Sequence, residues 1–232
     1  MKSDSREAIK AAVNEIRRNR KDLEEFVSDH SDFLYRLRPI NITPDIKTPK
    51  IIKLMMESSK IANVGPMASV AGALADIGLE AMLREQANVA VVENGGEIAA
   101  FTDRPIIISI FSNNPNLQNR IGFLLQSKDC PIGVATSSSK TLHALSFGNA
   151  DSVTVAAVNA SVADAAATAI CNSVVGEDAE RAVQRGLEKA KRIEGVRGVL
   201  IVLGDKLGIW GELPKIVKIE KAFGSYYNRS FR

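Results

Sequence analysis

Apolar positions follow two regimes along this chain. Up to about residue 87 they recur at helical spacing, and beyond it they fall into short blocks of strand length. Ile9, Val13, Ile16, Leu23, Phe26 and Val27 make one stripe, so the first thirty residues read as an exposed amphipathic helix, with the basic cluster Arg17, Arg18, Arg20 and Lys21 interrupting it. Pro39 and Pro44 break the chain. A second helix is expected to start with Thr48 as N-cap and Pro49 at its first position, running through KIIKLMMESSKIA. Gly65 and Pro66 introduce a third, MASVAGALADIGLEAMLREQ, whose Ala68, Ser69, Ala71, Gly72, Ala73, Ala75 and Gly78 allow another element to approach closely.

The later blocks predict strands. NVAVVENGGEIAAF reads as two strands around Asn94-Gly95-Gly96, and PIIISIF, PIGVATS and SVTVAAV follow. Helices at 161–175 and about 177–193 come next, then GVLIVLGDKLGIWG and KIVKIEKAF as final strands, with a turn at Gly204-Asp205-Lys206. Hairpin-like strand spacing with grouped helices predicts an α+β fold with a mainly antiparallel sheet and packed helices. With no linker in evidence, residues 1–232 read as one domain: a helical N-terminal part, 1–60, and a core, 61–232.

Apolar residues are 45% of the chain and charged ones 25%, which excludes disorder. A net charge of +3, with bases interleaved among acids, predicts no nucleic-acid partner. The C-terminal SYYNRSFR reads as a frayed or docking tail. Cys130 and Cys171 lack metal-ligand spacing and read as two reduced, buried thiols of a cytoplasmic protein. No apolar stretch is expected to reach the ~18 residues of a membrane span. Oligomeric state is left open.

Candidate chemistry centres on ADSVTVAAVNASVADAAATAI, a strand, a turn and an alanine-packed helix holding one acid, Asp164. Thr168 lies four residues on, on the same helical face. A carboxylate and a hydroxyl one turn apart suit a hard cation such as Mg²⁺. Alternatively, Ser161 and Asp164 form a capping box and Thr168 returns its hydroxyl to the carbonyl four residues back. Asn94-Gly95-Gly96-Glu97 reads either as a plain hairpin turn or as glycines that bring backbone close to an anion or a flat ring. Thr136, Ser137, Ser138 and Ser139, followed by Lys140, suit a phosphate or form a solvated loop; His143, nearby, is a candidate proton-transfer or phosphate-binding group.

In their order these pieces resemble the ApbE family of flavin transferases, over roughly residues 60–175. The family's GG..KG.A.D helix is similar to GPMASVAGALAD at Gly72 and Asp76, and its Asn-x-Gly-Gly-Asp to Asn94-Gly95-Gly96-Glu97. Its A.STSG strand end resembles Ala135-Thr136-Ser137-Ser138. Its SVTV….A..ADALATAL resembles Ser152 to Val155 and Ala163 to Ala169. The resemblance implies an ApbE-like, T-fold-related core that binds FAD. It also implies Mg²⁺ on Asp164, Thr168 and a main-chain carbonyl, with FMN passing to a threonine or serine of an acceptor protein. Gly72, Asp76, Asn94, Gly95, Gly96, Glu97, Thr136, Ser137 and Ser138 would line the dinucleotide. Four features depart from the family pattern. Ala71 stands where the family has lysine, Glu97 replaces aspartate, and HI.DP.TG is absent, His143 sitting instead in HALSFGNAD. The flavin-binding front half is also not recognisable in residues 1–60. The pattern resembles a short cytoplasmic branch of the superfamily. A flavin- or nucleotide-binding module without transfer chemistry, or another enzyme on the same scaffold, are the alternatives.

Overall fold

A computed structural model describes residues 1–41, 43–117, 120–139 and 147–219. His143, Lys140 and the SYYNRSFR tail lie outside the described residues. In chain order the elements are β1 (Lys2–Ser3), α1 (Arg6–Asp29), α2 (Asp32–Tyr35), α3 (Lys50–Ala62) and α4 (Val70–Arg84). Then come β2 (Val89–Asn94), β3 (Glu97–Thr102), β4 (Ile106–Ser109), β5 (Ile121–Leu125), β6 (Ile132–Ser137) and β7 (Ser152–Ala157). The chain continues through α5 (Ala160–Cys171), α6 (Ala179–Ala190), β8 (Val196–Leu203), β9 (Lys206–Gly211) and β10 (Lys215–Lys218).

Seven strands form one sheet in the order β1-β2-β3-β6-β7-β8-β9, and every neighbouring pair is antiparallel. A smaller antiparallel sheet, β10-β5-β4, packs on one face. Ile98, Ala100, Ile132 and Val134 of the large sheet meet Ile108, Phe123 and Leu125 of the small one in that core. The opposite face carries α4 on β2 and β3, α5 on β6 and β7, and α6 on β8 and β9. β7, SVTVAA, is buried at all six positions because both faces are covered. α1 and α3 pack outside α4, with Ala8 and Ala12 of α1 against Ala75, Leu79 and Met82. This is the mainly antiparallel α+β arrangement expected.

Several boundaries depart from the sequence reading. Pro49, not Thr48, occupies the cap position of α3, with no side-chain cap bond. Thr48 instead donates its hydroxyl to Asp45 at 2.8 Å, because that exposed turn gives it a closer carboxylate than the helix gives it amides. The third helix opens with a 3₁₀ turn, Pro66–Ser69. α5 ends at Cys171 rather than 175. β5, IGFLL, was not expected: its apolar run lacks alternation and follows a polar loop, and only its pairing between β4 and β10 makes it a strand. One expectation is overturned. Pro66–Arg84 is long and apolar enough, by length and composition, to cross a membrane. More than half of that stretch is buried inside the fold, where α1, α5 and β2 take up its apolar surface.

Candidate functional site

The small-residue face of α4 and the alanine-rich α5 meet by exchanging caps. Gly72, in the first turn of α4, donates its amide to Asp164 Oδ2 at 2.9 Å. In return Asp76 of α4 accepts from the first amides of α5: Ala160 N to Oδ1 and Ser161 N to Oδ2, both at 2.8 Å. Each carboxylate thus serves the positive end of the other helix. The contact requires glycine at 72: a Cβ there would lie 2.2 Å from the Ala160 carbonyl oxygen and 2.9 Å from Asp164 Cβ. A local capping box is not what holds Asp164. The N-cap of α5 is Asn159, whose side chain accepts from Val162 N at 2.9 Å. Asn159 was missed in the sequence, although an asparagine between a β-branched strand and an alanine run is a strong N-cap signal.

The β2–β3 turn brings the second half of the site. Gly95 and Gly96 have φ of +73° and +116°, as a tight hairpin turn demands. Asn94, before the turn, donates Nδ2 to the Ala71 carbonyl at 3.2 Å and so ties the hairpin to the start of α4. Glu97, after it, faces Asp164. Burial and the neighbouring Glu93 push the Glu97 carboxyl up to about 7. Asp164 is raised well above its ordinary value, by burial first, then by the negative charges of Glu97 and Asp76; the Gly72 and Ala71 amides oppose the rise. Burial also raises Asp76, against the pull of the Ala160 and Ser161 amides and of Lys50. Asn94, Glu97, Asp164 and Thr168 are all half-buried, so the group opens to solvent on one side.

A carboxyl's pKa rises beside a like charge, as that of Asp164 does beside Glu97, and a proton or a cation between such groups relieves the repulsion. Among the described residues no three His, Cys, Asp or Glu side chains form a metal cage. A cation at Asp164 would therefore draw on the Thr168 hydroxyl, a peptide carbonyl or the ligand's own oxygens. An all-oxygen donor set of that kind fits Mg²⁺.

The hydroxyl run at the end of β6 is divided between two faces. Gly133 and Ala135 point toward α5, since a Cβ on Gly133 would meet Asn159 at 2.0 Å and Ala135 sits in the α5 core. Alternation puts Ser137 on that side too and Thr136 on the other. Thr136 shares a hydrogen bond of 2.9 Å with Thr154, and Ser138 accepts from Asn113 Nδ2 at 2.7 Å. The fold thus gathers Gly72, Asp76, Asn94, Gly95, Gly96, Glu97, Asp164 and Thr168 on the helical face and turns Thr136 away from it.

The model of the family described as AbpE bacteria matches residues 1–207. This chain belongs to that family. The ApbE-like resemblance read from the motifs is thereby borne out. A UPF0280 protein of Methanobrevibacter smithii is 41% identical over 203 residues, 87% of this chain and 85% of the relative. One from Methanocaldococcus jannaschii is 39% identical over 95% of this chain and 89% of the relative. Among solved structures, the ApbE protein of Thermotoga maritima matches at 21% identity with a TM-score of 0.46, over 64% of this chain and 51% of that one. The apo flavinyl transferase ApbE of Pseudomonas stutzeri matches at 18% identity and 0.42, over 64% and 48%. The chain spans about half the length of these two solved ApbE proteins.

Proposed function

We propose that this member of the AbpE family binds a flavin dinucleotide, FAD, together with Mg²⁺, and transfers its FMN half to a serine or threonine of an acceptor protein in the cytoplasm. The observation that carries the reading is the facing pair Glu97 and Asp164, held with raised pKa values beside the start of α4. Asp164 and Thr168 would hold the cation, and Asp164 is kept in place by the Gly72 amide. When bound, Mg²⁺ supplies charge neutralisation on the pyrophosphate. Asn94 fixes the glycine turn against Ala71, so that Gly95 and Gly96 offer bare backbone to the ligand; a Cβ at Gly96 would meet nothing within 4 Å. Ser137 borders the dinucleotide on the helical face, while Thr136 and Ser138 brace the strand end from behind. His143 is the candidate for protonating the departing phosphate. Cys171 is buried and Cys130 only half-buried, against the expectation of two buried thiols; neither forms a disulfide among the described residues, which suits a reducing compartment.

Ala71 at the family's lysine position favours a second reading, a flavin-binding module without transfer chemistry. Titration with FAD, with and without Mg²⁺, followed by an assay for AMP release separates the two. Mg²⁺-dependent binding and AMP release, both lost in Asp164→Asn, support the transferase. Tight binding without AMP release supports the module. Absence of flavin affinity in the folded protein sinks both.

A further inference from the structure

β9 ends the large sheet, and among the described residues no strand lies on its outer side. An open edge of this kind is a ready template for another strand, and proteins usually blunt it. Among the described residues nothing covers this one, and the middle of the strand is apolar. Leu207 and Ile209 are 61% and 55% exposed, although their partners across the ladder, Val202 and Leu200, are buried.

The direction of the backbone groups follows from the register. Leu203 and Lys206 close a two-residue turn and so form a hydrogen-bonded pair; alternation makes Ile201–Gly208 and Val199–Trp210 hydrogen-bonded as well. The Glu212 amide, donating to the Arg197 carbonyl at 2.7 Å, continues that phase past the strand end. The N–H and C=O groups of Leu207 and Ile209 consequently point outward, to the open edge, and the extended run ends at Gly211, whose φ is +77°.

The sequence along that edge, Lys206-Leu-Gly-Ile-Trp-Gly-Glu212, is complementary to itself when reversed about Ile209. An antiparallel copy with Ile209 opposite Ile209 sets Leu207 against Gly211 and Gly208 against Trp210, each large side chain beside a glycine. It also sets Lys206 against Glu212 at both ends. The outward backbone groups fall in step, since Ile209 with Ile209 is the pair that would exchange hydrogen bonds, with Leu207 opposite Gly211 at either side. A register shifted by two residues keeps the backbone phase and loses both charge pairs.

We infer that β9 is a homodimerisation edge: two copies pair antiparallel about a two-fold axis at Ile209 and join their sheets into one. The interface is isologous, so each contact occurs twice. Leu207 and Ile209 of both copies form one apolar strip on the face that carries the small sheet, beside Leu200 and Val202. Trp210 lies on the opposite, helical face, where it packs on the core beneath α6.

Sedimentation equilibrium of the full chain between about 1 and 100 µM tests this. The expected result is a dimer that Ile209→Lys converts to monomer without loss of far-UV circular dichroism. K206E alone and E212K alone should each weaken association by roughly tenfold, since each converts two attractive pairs into repulsive ones. The double variant K206E/E212K should restore it, which a merely structural role would not do. A monomeric wild type at 100 µM overturns the inference, as does a dimer indifferent to Ile209→Lys. A chain that dimerises only after residues 220–232 are deleted also overturns it, and identifies that tail as the occupant of the edge.

Discussion

Gly72→Ala probes the mutual capping of α4 and α5 with one methyl group. Inside a helix this change ordinarily stabilises by about 1 kcal/mol, because alanine has less backbone entropy to lose. Here the new Cβ would sit 2.2 Å from the Ala160 oxygen, 2.6 Å from its carbonyl carbon and 2.9 Å from Asp164 Cβ. Two of those atoms are backbone and cannot rotate away, so the helices must separate by about 1 Å to regain van der Waals contact. Overpacking of that kind costs about 1–3 kcal/mol. Separation also lengthens the Gly72–Asp164 bond and both amide bonds to Asp76, now 2.8–2.9 Å, and weakening caps adds about 1 kcal/mol. Set against the ordinary gain, the net expectation is a loss of roughly 1–3 kcal/mol, or about 2–12 °C in Tm for a chain of this size. Calorimetry or thermal circular dichroism reads it directly. An unchanged or raised Tm would refute the geometry, since the ordinary helical preference for alanine would then have prevailed.

Three other outcomes are expected. In the ligand-free protein, stability falls as pH rises from about 4 to 7. The folded chain keeps a proton on Glu97 up to about 7 that the unfolded chain gives up near the ordinary glutamate value. Glu97→Gln should reduce that slope in a Tm-versus-pH series, the remainder belonging to Asp164 and Asp76, and an unchanged slope refutes the assignment to Glu97. Asp76→Ala removes the acceptor of the Ala160 and Ser161 amides and should lower urea-unfolding stability by about 1–2 kcal/mol. Asp76→Asn should lose less, because one carbonyl oxygen still accepts. Thr136→Val deletes one side of the Thr136–Thr154 hydroxyl pair and should cost about 1 kcal/mol while leaving FAD affinity within about twofold. A large affinity loss in that variant would mean that the ligand reaches the face beneath the small sheet.

Periodicity carried the sequence a long way. The α1 stripe, the hairpin about Gly95-Gly96 and the alternating block at 152–157 are each decided by spacing within a few residues, so they are legible before folding. The resemblance to the ApbE family was legible too, because Ala163-Asp164 to Thr168 and its preceding strand form one contiguous segment. β5 was not legible, since its strand character comes from partners on both sides that lie elsewhere in the chain.

For the site, sequence determined the ingredients: an acid among alanines, a hydroxyl one turn on, and a glycine turn flanked by Asn94 and Glu97. Tertiary structure alone decided how they are used. Asp164 and Asp76 are 88 residues apart in numbering, yet each caps the other's helix, so neither cap could be read from local spacing. Glu97 has its pKa raised by burial, and Asp164 is raised in turn by burial and by the charge of Glu97, because folding brings the β3 hairpin against α5. Thr136 and Ser137 are neighbours in sequence but face opposite sides of the sheet, since successive side chains of a strand alternate. Local patterns report what a residue can do; only the packing of distant segments fixes which partner, and how much water, it meets.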